Sequence, residues 1–157
     1  SLYVDKLQEW YENNVAKDFP KLRQKALHLL QEEAELNEIV QLVGVDSLSF
    51  TDRLKLETAK SIREDYLHQN AFHEIDTFTS TTKQYLLLKM ILGWHEAAIK
   101  AVGEGGSFKK ITEMSAREQI GRFKYVEEAK IQEQYEAILA EMTAEFDEIV
   151  QKEAELA

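Results

Sequence analysis

The chain contains one proline and six glycines in 157 residues, and this scarcity constrains its fold more than any other feature. Proline and glycine are the residues that interrupt helices most strongly. Apolar residues recur at three- and four-residue steps through most of the chain, which is the spacing of one helix face. No segment sustains the apolar–polar alternation of a β-strand. We therefore predict an all-α fold, a bundle-like domain of orthogonal and antiparallel helices with no sheet.

Residues that start and end helices delimit five long helical segments. Pro20 suits a first turn, and Gly44 suits the position that follows a last turn. Ser49 and Ser80 are placed to cap the segments that follow them, and Ser115 opens a complete capping box. The predicted long helices cover residues 2–15, 20–43, 50–68, 81–102 and 126–155, and shorter helices start at Ser107 and Ser115.

Each long segment has one apolar face, and these faces predict the core of a single domain over residues 1–157. A chain of this length buries roughly 70% of the surface that its unfolded form exposes, so it can form a stable core without covalent cross-links. The predicted core residues are Leu22, Ala26, Leu29, Leu36, Val40 and Val43 in the second helix; Leu54, Ala59, Ile62 and Tyr66 in the third; Leu87, Leu88, Ile91, Leu92, Trp94, Ala98 and Ile99 in the fourth; and Ile131, Tyr135, Ile138, Met142, Phe146 and Ile149 in the last.

Charge and composition exclude several classes of function. The formal net charge of −10 opposes binding to nucleic acid or to an anionic lipid surface. The absence of cysteine excludes disulfides and thiol chemistry. No apolar run approaches the roughly 18 residues of a membrane span, so we expect no direct membrane insertion. The start of the chain has neither an initiator Met nor a signal-peptide pattern, and we expect a processed product or a piece of a longer polypeptide.

No motif in the chain carries catalytic chemistry. His95 and Glu96 begin like a zinc-protease helix, but Ile99 occupies the place of the second ligand, so we predict no metal site. The glycines at 103–106 lack the lysine of a P-loop, and a flexible connector explains them better. One segment, residues 69–78, is a candidate for a binding role because it places Phe72 in a predicted loop. Phe72 either packs on the local core or offers a stacking surface for a flat ligand.

Several ordered segments resemble the catalytic A subunit of V/A-type rotary ATPases. They are EIVQLVG at 38–44, SL at 47–48, DRL at 52–54 and SIREDYLHQNAFHEIDT at 61–77. The resemblance is strong up to about residue 102, and the short tail is similar to prokaryotic members. It implies that the chain is the C-terminal helical domain of that subunit, without the barrel and the P-loop domain that precede it. The whole subunit hydrolyses or makes ATP in a ring of alternating A and B subunits, around a central stalk that drives proton or sodium transport.

The resemblance also implies two sites within the chain and no catalytic residue. The phosphates of ATP or ADP, with their Mg²⁺, would be held by the missing nucleotide-binding domain, so we expect this fragment to be inactive alone and to bind no nucleotide tightly. The implied adenine-binding residues are Gln69, Asn70, Ala71 and Phe72, and the implied stalk-contact residues are Ser47, Leu48, Ser49 and Phe50.

Leu48 belongs to no predicted helix face, which favours an exposed apolar contact in the turn over 45–53. The other interpretation is that Leu48 and Phe50 fold back as a hydrophobic staple on the third helix. At the level of the whole chain, the alternative to an ATPase domain is an independent helical adaptor for protein interactions. A stand-alone helical enzyme has no support from particular residues. The ATPase interpretation implies a monomeric fragment of a cytoplasmic head that is peripheral to the membrane.

Overall fold

A computed structural model describes residues 17–67 and 80–156, and the regular structure in these two ranges is entirely helical. The all-α prediction is therefore confirmed for them. The segment 2–15 lies outside the described residues. The α-helices are α1 (Phe19–Val43), α2 (Phe50–Ser61), α3 (Thr81–Gly103), α4 (Phe108–Thr112), α5 (Ser115–Arg122) and α6 (Ile131–Leu156). A π-helix over Ile62–Leu67 continues α2 without a break.

The predicted capping residues set the ends of the first three helices. Gly44 has a φ of 88°, which a side chain would oppose, and its N–H donates to the carbonyl of Val40 at 2.8 Å. The Ser49 hydroxyl oxygen accepts from the N–H of Asp52 at 3.1 Å and so caps α2. Ser80 caps α3 in the same way, with its oxygen 3.0 Å from the backbone nitrogen of Lys83.

α3 is the central helix of the fold. It packs against α1, α2 and α6, and it is buried along most of its length. Trp94 lies at its centre, and the guanidinium of Arg117 stands 4.4 Å from the centre of a Trp94 ring. Arg117 also donates to the Glu57 carboxylate at 3.0 Å and to the Thr112 carbonyl at 2.8 Å. One side chain of α5 therefore joins α2, α3 and the end of α4.

The last helix has the predicted core face but a later start. A 3₁₀ turn over Phe123–Tyr125 comes just before the predicted segment, and a second, Glu128–Lys130, lies within its beginning, so α6 begins at Ile131 rather than at 126. Its predicted face is buried from Ile131 to Ile149, with Tyr135 partly buried at the edge of the core.

The predicted capping box at Ser115 is wrong. Ser115 is the first residue of α5, and the capping position is Met114, which offers no side-chain oxygen. The N–H groups of Ser115 and Ala116 donate instead to the two carboxylate oxygens of Glu145, at 3.0 and 2.8 Å. The Ser115 hydroxyl donates to Glu141 at 2.7 Å. Acidic residues of α6 thus supply the acceptors that the local sequence does not.

Candidate functional site: the tip of the α1–α2 hairpin

The far half of α1 extends beyond the core. Leu42 is 83% exposed and Val43 is 64% exposed, and the side chains of Ile39 and Val45 are also more than one-third exposed. The prediction that one continuous apolar face of this helix is buried is therefore wrong beyond its middle, because Leu36 and Val40 are only partly buried and Val43 faces solvent. We call residues 39–50, from Ile39 to the first residue of α2, the tip.

The predicted contact residues 47–50 form the corner of this tip, and they do not all face outward. Leu48 is only 8% exposed, so the expected exposed Leu48 side chain is wrong. Its backbone N–H donates to the Val45 carbonyl at 3.0 Å, within the 3₁₀ turn Val45–Ser47. The Ser47 hydroxyl donates to the Gly44 carbonyl at 2.7 Å, while Ser49 caps α2. The polar groups of the corner are thus used locally.

Phe50 connects the tip to a distant part of the chain. Its ring stacks on that of Phe108, with centroids 5.1 Å apart and planes 23° apart, yet half of its surface remains exposed. Arg53 contacts both ends of the corner. Its guanidinium is 5.3 Å from the centre of the Phe50 ring and 3.6 Å from the Asp46 carboxylate. The corner is therefore braced by α4, a role for residue 108 that the sequence did not indicate.

Ion pairs connect the middle of α1, where its projecting half begins, to α2 and to the π-helix that continues α2. The Glu32 carboxylate accepts from Lys55, and the adjacent Glu33 accepts two hydrogen bonds from Arg63, at 3.0 and 2.8 Å. A planar guanidinium held by two parallel hydrogen bonds fixes orientation as well as distance. From Glu33 to Val43, α1 extends about 15 Å as a continuous helix. The tip is thus a helical projection that is fixed at its base and braced at its corner.

The predicted adenine-binding residues, Gln69, Asn70, Ala71 and Phe72, lie outside the described residues. The structure does describe the chain on both sides of them. The π-helix Ile62–Leu67 comes before the segment, and the cap of α3 at Ser80 comes after it. Ser80 also donates its N–H to the Glu128 carboxylate at 3.3 Å, which joins this end of the segment to the turn before α6.

The histidine and acidic side chains of the described residues do not converge on a metal-binding site. No group of three or more His, Cys, Asp or Glu side chains within 17–67 and 80–156 is arranged to hold a metal ion. His95 is buried and bonded to Thr58 rather than facing another histidine. None of the helices in these ranges combines the length and the apolar character that a membrane crossing requires.

Comparison with known proteins identifies the family. Residues 8–112 match the family model described as the C-terminal domain of V and A type ATP synthase. The chain belongs to this family. The match includes the whole α1–α2 hairpin, α3 and α4, and it favours the ATPase domain over the independent adaptor.

Named relatives extend the similarity of this ATP synthase domain beyond the family model. The chain is 50% identical to the V-type ATP synthase alpha chain of Acetivibrio thermocellus over 155 residues, 99% of the chain and 26% of that protein. It is 53% identical to the alpha chain of Thermoanaerobacter pseudethanolicus over 131 residues, 83% of the chain and 22% of that protein. The alpha chain of Clostridium botulinum is 49% identical over 97% of the chain and 26% of its own length. The chain therefore spans about a quarter of these relatives.

Proposed function

We propose that this domain couples ATP hydrolysis or synthesis to rotation of a central stalk, as part of the catalytic A subunit of a V/A-type ATPase. In this role the tip contacts the stalk, and residues 69–72 complete the adenine side of the nucleotide pocket. The family membership and the relatives named as alpha chains support the setting. The exposed apolar tip is the single observation that carries the coupling role.

The tip has the properties of a contact surface. Leu42 and Val43 are exposed on a chain with a net charge of −10, and Val45 extends the same apolar region. Contiguous exposed apolar surface costs solubility, and where it persists it commonly marks an interaction site. The stacked Phe50–Phe108 pair and the ion pairs at Glu32 and Glu33 stiffen this projection. A stiff projection passes on a displacement that a flexible loop would absorb.

The adenine role rests on the sequence resemblance of residues 69–72. Phe72 would stack on the flat adenine ring, which contributes on the order of 1 kcal/mol beyond area burial. We assign the phosphates and Mg²⁺ to the nucleotide-binding domain of the longer subunit. The partners in this proposal are the B subunits of the ring and the stalk subunits, in a cytoplasmic head that is peripheral to the membrane and drives proton or sodium transport.

The stalk contact can be tested by crosslinking from cysteines introduced into this chain, which has none of its own. Cysteines introduced at Leu42, Val45 or Ser47 of the complete subunit should crosslink to a cysteine on the stalk and block rotation. Leu27 is the matched control, since it is an exposed leucine on the near half of α1. A Leu27 cysteine should not crosslink. Equal crosslinking at Leu27, or none at the three tip positions in an intact complex, would contradict the stalk contact.

The adenine contact has a kinetic test in the complete ATPase. Phe72→Ala should raise the KM for ATP and change kcat less, because adenine does not react and its stacking acts as nearly uniform binding. Phe72→Tyr keeps the ring and should keep the KM. An unchanged KM in Phe72→Ala, with normal assembly, would mean that Phe72 packs on the local core and does not contact adenine.

The fragment itself should neither hydrolyse ATP nor bind it tightly. Stacking alone leaves the phosphates without partners, and the gain does not cover the cost of association. Calorimetry and a phosphate-release assay on the pure 157-residue chain measure both properties. Micromolar ATP binding or metal-dependent hydrolysis would show that the chain holds a nucleotide site of its own.

A further inference from the structure

The outward face of the far half of α1 combines acidic and apolar side chains. Glu35, Glu38, Ile39 and Leu42 follow one another at the spacing of one helix face, and all four are exposed. The two glutamates lie nearer the packed half of α1, and the two apolar residues lie at the tip. We call these four residues the outer stripe. It adds an acidic border to the apolar surface of the tip.

The glutamates of the outer stripe differ from the neighbouring acids because no cation of this chain is near them in sequence or in the described structure. Residues 29–52 contain no lysine, arginine or histidine. Cations of α2 and of the π-helix pair with the four other acids of this segment, which are Glu32, Glu33, Asp46 and Asp52. Within 17–67 and 80–156, neither Glu35 nor Glu38 forms such a pair. Their charges are therefore available to another molecule.

The charge of the outer stripe limits what can cover it. Two unpaired carboxylates repel nucleic acid and anionic lipid, whose surfaces are also negative. A second copy of this chain would bring two sets of unpaired glutamates into one interface, and like charges that meet there cost free energy. A protein surface that is both apolar and basic avoids these costs. It removes Ile39 and Leu42 from water and neutralises Glu35 and Glu38.

The spacing of the outer stripe also gives the layout of its partner. Along the helix axis, Glu38 lies about 6 Å from Leu42 and Glu35 about 10 Å, at 1.5 Å per residue. These distances are close to the Debye length of about 8 Å at physiological ionic strength, so a cation beside the apolar contact acts on both carboxylates.

We propose that the tip docks on a stalk surface whose apolar patch is bordered by lysine or arginine, about 6–10 Å from the contact with Leu42. This inference rests on the proposed function, to which it adds the chemistry of the partner. The apolar side chains supply the contact itself. Glu35 and Glu38 steer the two surfaces together and fix their register, which is the usual effect of charges at the border of an interface.

The test measures how fast the purified stalk associates with a head that was assembled without it, at a series of salt concentrations. The native head is compared with the reversed pair Glu35→Lys/Glu38→Lys and with the neutral pair Glu35→Gln/Glu38→Gln. The matched control is Glu133→Lys/Glu136→Lys, which makes the same charge change at the same spacing on exposed residues of α6. Circular dichroism of each variant chain checks its helix content.

The reversed pair should associate about tenfold more slowly than the native head at low salt, which is the low end of electrostatic steering, and the neutral pair should lie between them. High salt should remove these differences by screening. The control should associate like the native head. A stalk in which glutamate replaces the lysine or arginine nearest the Leu42 crosslink should associate faster with the reversed head than with the native one.

A reversed pair that associates like the control at every salt concentration would overturn this inference, and so would a glutamate-bearing stalk without that preference. If a cysteine at Leu42 still crosslinks to the stalk in that case, the contact is apolar alone and the proposed function stands. Absence of the Leu42 crosslink from an intact complex with native Glu35 and Glu38 would instead contradict the proposed function.

Discussion

Nδ1 of His95 lies 2.6 Å from Oγ1 of Thr58, and this hydrogen bond joins α3 to α2 inside the core. Thr58 is fully buried and His95 nearly so. Burial lowers the pKa of His95 below its ordinary value of 6.5, because desolvation penalises the imidazolium; nearby Lys55 acts in the same direction, and Glu96 and Glu32 oppose it. The folded state therefore favours the neutral form of His95.

The first prediction is that the fold loses stability in mild acid through His95. The folded-state pKa lies below 6.5, so the unfolded chain binds more protons in the window between the two values. Stability then rises with pH across that window and falls as pH drops below 6.5. Urea unfolding of this chain at a series of pH values measures the slope.

The control for this pH dependence is His95→Gln, which keeps a polar side chain but removes the titrating group. Its free energy of unfolding should show a smaller slope over the same window, although it should be lower overall. Thr58→Val should cost about 1–3 kcal/mol, because it leaves a buried ring nitrogen without its partner. A slope that His95→Gln leaves unchanged would assign the acid sensitivity to other groups.

The second prediction concerns Asp65 in the π-helix. Desolvation raises its pKa above the ordinary value of 3.8, an effect that Glu64 reinforces and that Lys124 and Arg117 oppose. The folded chain therefore binds more protons than the unfolded chain just above pH 3.8, and stability falls as pH rises through the folded-state pKa. Asp65→Asn removes this cost and should raise the melting temperature near neutral pH.

The advantage of Asp65→Asn should shrink below pH 3.8, where the native carboxyl is protonated as well. Gly121 lies against this carboxyl: a Cβ added there would stand 3.3 Å from Oδ1. Gly121→Ala should therefore be less tolerated than Gly93→Ala, since a Cβ at Gly93 meets no atom within 4 Å. An Asp65→Asn protein that is less stable than the native chain at neutral pH would mean that the charge of Asp65 is needed by Lys124 or Arg117.

The sequence predicted the core best where one helix face is covered by the chain itself. The stripe from Ile131 to Ile149 is buried as predicted, apart from the partly buried Tyr135, because α6 packs against α3 and α5. The same periodicity gave a wrong prediction at Val43. A repeating apolar face shows only that a helix has an apolar surface to bury. It does not show whether this chain or another molecule covers it.

The interactions between distant residues could not be read from local patterns. The capping box at Ser115 had the correct local residues, yet the acceptors come from Glu141 and Glu145 on another helix. The stacking of Phe108 on Phe50 joins residues that no motif connects. The stalk contact and the adenine contact stay predictions of the resemblance, refined by the finding that Leu48 is buried and Leu42 is exposed.

The third prediction tests the capping of α5 by Glu145. Its two oxygens accept from the N–H groups of Ser115 and Ala116, and its negative charge faces the positive end of the helix dipole. Glu145→Ala should cost about 1–2 kcal/mol in the free energy of unfolding, as loss of a cap does. Glu145→Gln retains one acceptor oxygen and should cost less.

The matched control for Glu145 is Glu148→Ala on the same helix. Glu148 pairs with Lys152 at 3.2 Å, and both side chains are more than half exposed. Its loss should change stability by less than about 0.5 kcal/mol. Equal effects of the two alanine variants in chemical denaturation would mean that Glu145 contributes only a surface charge.

The fourth prediction is that the Phe50–Phe108 stack stiffens the tip. The aromatic contact contributes about 0.5–1.5 kcal/mol beyond the area it buries, so a double-mutant cycle with Phe50→Leu and Phe108→Leu should return a coupling energy in that range. The rings lie at a surface corner where Arg53 covers only part of Phe50. Loss of the stack should therefore free the corner more than it destabilises the whole domain.

Hydrogen exchange separates local stiffness from global stability for this pair. Phe108→Leu should accelerate exchange of the amides at residues 45–53 while leaving those of α3 close to their native rates, because α3 opens only with the whole core. Phe19→Leu is the control, since Phe19 packs edge-on against Tyr85 at 5.4 Å in the interior and its loss should weaken all core amides together. If Phe108→Leu changes exchange in α3 and in the corner by the same factor, α4 does not brace the tip, and the stiffness needed for coupling must come from the ion pairs at Glu32 and Glu33 alone.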